Sequence, residues 1–349
     1  MSNLAITATG YFSTGSSAVY HLLTEYRTTT AGVLEKNPCE HLPLYMPDGL
    51  FDLEDKLLRG NNIHRSDEAL NSFYQAMRNL YDNNYHWYGN YKERFGPKFM
   101  EAVNELIDDL TEYTLHAKWY YDEEMKFSVK HTAASVIHRL KKEPGTANFF
   151  ENITYKKKYD DGLTRYAFPT DEEFYSAGGK FIRAYLDLCR GTSKGVLLLD
   201  HFILPQNLFR LNKYISDSEL RVIVLDRDIR DVYMDTRNRL ENYDTESPVP
   251  VNIEQFASFM RRIREIEQRP NHDEQILRLQ YEDLFVHYDE SVQKLENFCG
   301  LSPDAHIKKC KCFDPKSGDK YMGLYKKNKK YVKEIKYLED TLPELIYNK

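Results

Sequence analysis

Ile6-Thr7-Ala8-Thr9-Gly10-Tyr11-Phe12-Ser13-Thr14-Gly15-Ser16-Ser17-Ala18-Val19 is the stretch from which the rest of the chain is read. The apolar run 4–8 predicts a buried strand, and Gly10 ends it. Gly15-Ser16-Ser17 then opens a helix, which the spacing of Val19, Leu22 and Leu23 carries to about Tyr26. A strand, a glycine loop and a helix N-terminus together cradle an anion, because backbone N–H groups and the helix dipole point the same way. Gly10 and Gly15 stand at the spacing of a Walker A loop, with Ser17 at its Ser/Thr position. Its lysine is replaced by Ser16, which argues against a nucleoside triphosphate and for a less charged phosphate group. From this stretch alone, an ordinary strand-to-helix turn and a phosphate site are equally consistent.

The remaining sequence bounds the class. A chain of 349 residues with 41% hydrophobic and 29% charged residues reads as globular, and we expect a single domain over 1–349. The net charge of −6 gives no reason to expect nucleic-acid binding. Met1-Ser2-Asn3-Leu4 carries no basic or apolar leader, and no apolar run reaches the ~18 residues of a membrane span. Five scattered cysteines fit reduced thiols, so a cytoplasmic setting without an integral membrane segment is expected. Cys310-Lys311-Cys312 with His306 lacks a fourth soft ligand, and no metal is expected.

Residues 28–34 read as a second strand, followed by a proline-shaped loop, 37–49. Residues 50–190 change character, with few strand-like runs and many aromatic, amphipathic ones. Phe99, Val103, Leu106, Leu110 and Tyr113 fall on one helix face, as do Phe174, Phe181, Tyr185 and Leu188. Tyr81, Tyr85, Trp87, Tyr88, Tyr91, Trp119, Tyr120 and Tyr121 crowd this section, either as helical packing or as a wall for sugar rings; Lys156-Lys157-Lys158 reads as a solvated loop. The sheet resumes at 195–199 and delivers Asp200 and His201 at its carboxyl end, ahead of a short helix from Pro205. Residues 221–226 form the clearest strand. Arg227 and Arg230 follow it at a helix start, as an oxyanion site or as a salt-bridge network with Asp228 and Asp231. A helix over 253–268, a strand over 275–280, a helix closing at Gly300 and a last helix over 331–345 complete the pattern. Residues 308–336 hold eleven lysines against three acids, a local sign reversal that suggests an anionic contact.

Three blocks in this order resemble the sulfotransferases that use 3′-phosphoadenosine-5′-phosphosulfate (PAPS). Ser13-Thr14-Gly15-Ser16-Ser17 is similar to the family's phosphosulfate loop, with Ser13 where the family has a cation. Arg227-Asp228-Ile229-Arg230-Asp231-Val232 is similar to its 3′-phosphate block, with Asp235 at the serine position and Thr236 beside it. Tyr281-Glu282-Asp283-Leu284 resembles a later family segment, and Gly323-Leu324-Tyr325-Lys326 resembles an element that closes over the cofactor. Asp200-His201-Phe202-Ile203-Leu204-Pro205 resembles the segment of cytosolic members whose His is the base; Glu40-His41 resembles that of glycan-modifying members whose Glu is the base.

The resemblance covers residues 1–27 and 195–330 and implies an α/β fold, a three-layer parallel sheet of P-loop NTPase/sulfotransferase type; residues 50–190, which match nothing in the family, read from their composition as a helical, aromatic insertion forming the acceptor cleft. It implies sulfuryl transfer from PAPS to an acceptor hydroxyl, with adenosine 3′,5′-bisphosphate (PAP) as product and no metal; the aromatic section and the cytoplasmic character favour a glycan or glycan precursor as that acceptor. His201 is then the first choice of base and Glu40 the second. Ser13, Thr14, Gly15, Ser16, Ser17, Arg227, Asp235, Thr236, Tyr325 and Lys326 are the cofactor-binding set. Lys326 or another tail lysine supplies the charge missing at Ser13, and Thr236 or Arg230 stands in at Asp235. A P-loop kinase-like phosphotransferase and an inactive nucleotide- or glycan-binding relative remain open alternatives.

Overall fold

Six consecutive buried residues, Ala5–Gly10, make the central strand β1 of the protein. In the computed structural model, residues 4–36, 41–85, 88–116, 163–243, 249–267 and 274–348 are described, the side chains of 36 and 240–243 excepted. Helix α1 (Ser16–Leu23) follows β1, and the short strand β2 (Thr29–Ala31) follows α1. The helix is shorter than its spacing predicts. Thr29 turns the chain back by donating its hydroxyl to the carbonyls of Leu23 and Tyr26. The second strand is also shorter than 28–34, because Val33 N–H leaves the sheet to bond Cys189 and residues 34–36 coil into a single turn.

The longer helices that come next are α2 (Leu50–Leu58), α3 (Ile63–Asp82) and α4 (Lys98–Leu110), with a single turn, Tyr91–Phe95, between the last two. Asn62 caps α3 by accepting from the amides of His64 and Arg65. The aromatic section is not wholly helical. Strand β3 (Tyr113–Leu115) pairs antiparallel with β4 (Thr164–Tyr166), so Tyr113 leaves the helix face it was expected to extend. Helix α5 (Asp171–Arg190) starts on a reciprocal capping box between Thr170 and Glu173. Trp87, residues 119–121 and residues 156–158 lie outside the described residues.

Strands β5 (Val196–Asp200), β6 (Leu220–Asp226) and β7 (Ile276–Gln280) complete a five-stranded sheet in the order β2-β5-β1-β6-β7, every pair parallel. Helix α6 (Ile229–Tyr243) follows β6, and α7 (Ile253–Ile266) precedes β7. Helices α8 (Tyr288–Cys299) and α9 (Val332–Thr341) end the chain; α9 is shorter than 331–345 because Pro343 begins a separate turn.

Alternation along the strands builds two cores. Ala5, Leu197, Leu199, Val222 and Val224 join the aromatic and aliphatic residues of α2–α5 on one face. Ile6, Ala8, Leu198, Ile223 and Leu225 pack on α1 and α8 on the other. A third cluster binds α6, α7 and α9 to one another. The α/β expectation of a parallel sheet between helical layers is met. Because the strands are parallel, the loops after all five open at one carboxyl edge, where ligands of such sheets bind.

Candidate functional site

The first loop at this edge is shaped by backbone geometry. Gly15 sits in the left-handed region, at φ 82°, and caps α1. A Cβ there would stand 2.5 Å from the Tyr281 ring, and one on Gly10 would stand 2.8 Å from the Leu225 carbonyl. Both positions therefore require glycine. Thr14 turns inward, its hydroxyl donating to Tyr11 O at 2.8 Å. Tyr11 is fixed from behind: its hydroxyl donates to buried Glu267, while Arg264, paired to Asp226 at 2.8 Å, lies 4.0 Å over its ring. Ser16 begins the helix buried, and Ser17 beside it is exposed.

Arg227, at the end of β6, ties three segments together. One terminal nitrogen donates to Ser13 O at 3.0 Å and the other to Tyr321 O at 2.6 Å. The guanidinium stacks 4.8 Å over Tyr281, the same ring that covers Gly15. Two of its five N–H groups are used in these bonds, and its Nε is buried without a partner. Ser13 Oγ is likewise buried without one. Two unpartnered polar atoms, beside a glycine loop and a helix N-terminus, are what a bound phosphate group would satisfy.

Arg230 is already committed. It binds Asp228 at 2.6 Å and Glu339 at 2.9 Å, and stacks 4.1 Å over Tyr325. Here the salt-bridge reading of the arginine block holds. Thr236 is also turned away from the loop: it is fully buried, and its hydroxyl donates to Val232 O at 2.9 Å. Asp235 pairs with Arg239 at 3.1 Å, and Arg239 lies 6.0 Å from the Phe12 ring of the first loop. The cation beside Ser13 is the Arg227 guanidinium, whereas Lys326 is exposed and lies 5.5 Å over Tyr325.

The segment carrying Tyr325 and Lys326 is latched to the same edge. Buried Asp231 accepts from the amides of Gly323 at 2.7 Å and Tyr325 at 3.3 Å. Burial raises the Asp231 carboxyl above its ordinary range, against the lowering effect of Arg227 and the two amides. Glu282, behind Arg227, is pushed up to about 7, first by burial and then by Asp228.

On the other side of the loop stands His201. Its Nε2 lies 3.2 Å from Ser16 Oγ and its Nδ1 lies 3.0 Å from Asp200 Oδ1. The second is a charge contact without hydrogen-bond alignment. The backbone of His201 is strained, with φ 52°, while its amide completes the ladder to Ala8 O at 2.9 Å. Thus β5 delivers a half-exposed imidazole against the first turn of α1.

Glu35 joins this cluster, and sequence reasoning missed it. One carboxylate oxygen accepts from Asp200 N at 3.1 Å and from His41 Nε2 at 2.8 Å. His41 is fully buried and also meets the Tyr185 hydroxyl, at 3.1 Å. Tyr20, on α1, has its hydroxyl raised, first by burial and then by the Glu35 and Asp200 charges. The signal for Glu35 was only its place just past β2 at the carboxyl edge. Glu40 lies outside the described residues. Among the described residues no three His, Cys, Asp or Glu side chains gather to hold a metal, and His306 is bonded to Glu25 at 2.7 Å.

Residues 204–336 match a family described as the sulfotransferase domain. Among solved structures, the sulfotransferase STF9 from Mycobacterium avium aligns at 11% identity and a TM-score of 0.34. That alignment covers 88% of this chain and 66% of the other, so the chain spans about two thirds of that protein's length. No curated protein matches the sequence.

Proposed function

We propose that the chain, whose residues 204–336 match the sulfotransferase domain, moves a sulfuryl group from PAPS to an acceptor hydroxyl. Bound PAPS supplies that group on a phosphate leaving group, and PAP remains. The observation that carries the reading is Arg227, which joins Ser13, Tyr281 and Tyr321, with its Nε and the Ser13 Oγ buried without hydrogen-bond partners. The Thr14–Ser17 amides and Ser13 Oγ hold the 5′-phosphate group. The remaining N–H groups of Arg227 hold the 3′-phosphate, with Arg239 offsetting Asp235. Tyr325 and Lys326 ride on the latched segment that covers the donor.

His201 is the proposed proton acceptor at Nε2, with Asp200 beside its other nitrogen. Glu35 offers a second carboxylate at the same edge, and Glu40 stands in reserve as the sequence placed it. Two carboxylates and an imidazole at the acceptor mouth suit a neutral polyhydroxyl acceptor, since each carboxylate oxygen accepts hydrogen bonds from neighbouring hydroxyls. A saccharide or saccharide precursor is therefore the proposed acceptor, seated against the aromatic section 50–190 of a single domain. A cytoplasmic setting fits the free cysteines.

Calorimetric titration with PAP tests the reading, with ATP and magnesium as the control, on the wild type and on Arg227→Ala. PAP binding weakened at least tenfold by the substitution, with ATP ignored, supports it. ATP binding without a PAP response overturns it in favour of a phosphotransferase. PAP binding with no turnover on any hydroxyl acceptor points to a binding relative.

A further inference from the structure

The chain reverses its charge over its last part. On a protein of net charge −6, residues 308–336 hold eleven lysines, three acids and no arginine, and all eleven lysines are exposed. Ion pairs engage Lys309 with Asp289 at 3.2 Å and Lys336 with Asp340 at 2.7 Å. Eight of the eleven fall between 316 and 336.

This lysine-rich segment is held firmly to the fold. Arg227 holds Tyr321, Asp231 holds Gly323 and Tyr325, and Arg237 donates to the Tyr331 hydroxyl at 3.0 Å. Helix α9 shows what is displayed. Ile335 and Leu338 are buried against α6 and α7, while Val332, Lys333, Lys336 and Tyr337 recur on the opposite, exposed side. Val332 is 60% exposed, Tyr321 48% and Tyr337 37%. Ile307, just ahead of the lysines, is 59% exposed.

We propose that this face docks the protein on an anionic lipid bilayer. Lysines on flexible stems act as point charges. They are attracted to a charged surface without needing a fixed ligand geometry. The planar arginine fork, which gives bidentate, oriented recognition of nucleic-acid phosphates, is absent from residues 308–336. Exposed Val332, Tyr337 and Tyr321 among the lysines gain nothing from a soluble polyanion. At a bilayer surface their apolar parts enter the headgroup region while the ammonium groups meet anionic lipid. The latch to Arg227 and Asp231 puts this face beside the carboxyl edge of the sheet, so a docked protein keeps its cleft close to the bilayer. The inference rests on charge and exposure, independently of the sulfuryl-transfer reading.

Co-sedimentation with vesicles tests it. Phosphatidylcholine–phosphatidylglycerol vesicles are expected to retain at least tenfold more protein than phosphatidylcholine alone, and raised salt is expected to reverse most of this. Lys320→Glu/Lys329→Glu/Lys333→Glu is expected to lower retention at least tenfold, and the glutamine versions do the same if the glutamates fail to fold. Val332→Ser/Tyr337→Ser is expected to weaken retention at unchanged charge. Equal retention on both vesicles, or none, overturns the proposal. Unchanged retention of the Val332/Tyr337 variant overturns it too. Binding to heparin or to DNA with no vesicle retention assigns the face to a soluble polyanion instead.

Discussion

His201 Nε2 stands 3.2 Å from Ser16 Oγ, so the end of β5 and the first turn of α1 meet through one side-chain contact. In the proposed reaction an acceptor hydroxyl approaches at the mouth of this loop, beside the imidazole. His201→Ala is expected to lower kcat by about 10²-fold or more while PAP affinity stays within about twofold. Ser16→Ala removes the contact and keeps the imidazole, so a smaller loss, about tenfold, is expected. Steady-state kinetics beside calorimetry separate the two quantities. Unchanged kcat in His201→Ala moves the proton-accepting role to a carboxylate, with Glu35 first in line.

Gly15→Ala tests the loop's shape. The added methyl meets the Tyr281 ring at 2.5 Å, at a φ that side chains avoid. Relief requires Tyr281 to move, and Tyr281 carries the Arg227 guanidinium. A loss of about 2 kcal/mol in stability is expected, together with at least tenfold weaker PAP binding. A variant with unchanged affinity would show that the loop does not depend on this packing.

The division between what the sequence shows and what it hides follows from range. The parallel strands, the glycine loop and α5 are legible because their signals are local: continuous apolar runs, a 10/15 glycine spacing, and the recurrence of Phe174, Phe181, Tyr185 and Leu188 on one helix face. Tyr113 misleads because a periodic residue just past Leu110 satisfies the helix pattern until it pairs with Tyr166 on a distant strand. Arg227 is legible as a candidate site residue, but its grip on Ser13 and Tyr321 spans more than 90 residues each way and leaves no local trace. Glu35 is hidden for the same reason. Its partners Asp200 and Tyr20 come to it only through the sheet and α1. Thr236 shows the converse, since its neighbour in sequence faces Arg239 while it faces its own helix backbone.

His41 is expected to act through Glu35. Buried between Glu35 and Tyr185, it holds one carboxylate oxygen in place, and that oxygen also caps Asp200 N. His41→Phe fills the space and removes both bonds. Stability is expected to fall by about 2 kcal/mol, since Tyr185 and Glu35 lose a buried partner. The pH profile of kcat is expected to shift as well, whereas His41→Gln, which can still bond Glu35, restores most of it. A profile unmoved by either change leaves His41 a packing residue.

Glu282 predicts a pH dependence of stability. Its carboxyl titrates near 7 in the folded protein against 4.5 for an unperturbed glutamate, chiefly because it is buried, with Asp228 adding and Arg227 opposing. Between these values the folded state keeps a proton that the unfolded state has lost. Its contribution is therefore complete below about pH 4.5 and declines as pH rises toward 7, by up to about 3 kcal/mol. Glu282→Gln still accepts from the Asp228 amide and cannot ionise, so the variant is expected to gain on the wild type as pH rises from 5 to 8. Thermal unfolding across that range measures it, and parallel curves for the two proteins would rule the linkage out.

Glu25 predicts the opposite sign. Its fully buried carboxylate accepts from the amides of Cys310 at 3.1 Å, Cys312 at 2.7 Å and Phe313 at 2.9 Å, and from His306 at 2.7 Å. Burial alone would raise its pKa; His306 and the three amides outweigh burial and hold it below 4.5. Its stabilisation is therefore present above pH 4.5 and is lost as pH falls through the depressed value. Glu25→Ala strands three amide donors at once, each worth about 1 kcal/mol or more when buried and unmet, so a loss of about 3 kcal/mol is expected. The bonds from Glu25 pin residues 306–313, whereas Arg227 and Asp231 hold the donor edge without them. Proteolysis between Lys308 and Lys311 should therefore accelerate in the variant while PAP affinity holds. Cleavage rates equal to wild type would mean that Tyr26, stacked 4.3 Å from His306, fastens the loop without the carboxylate.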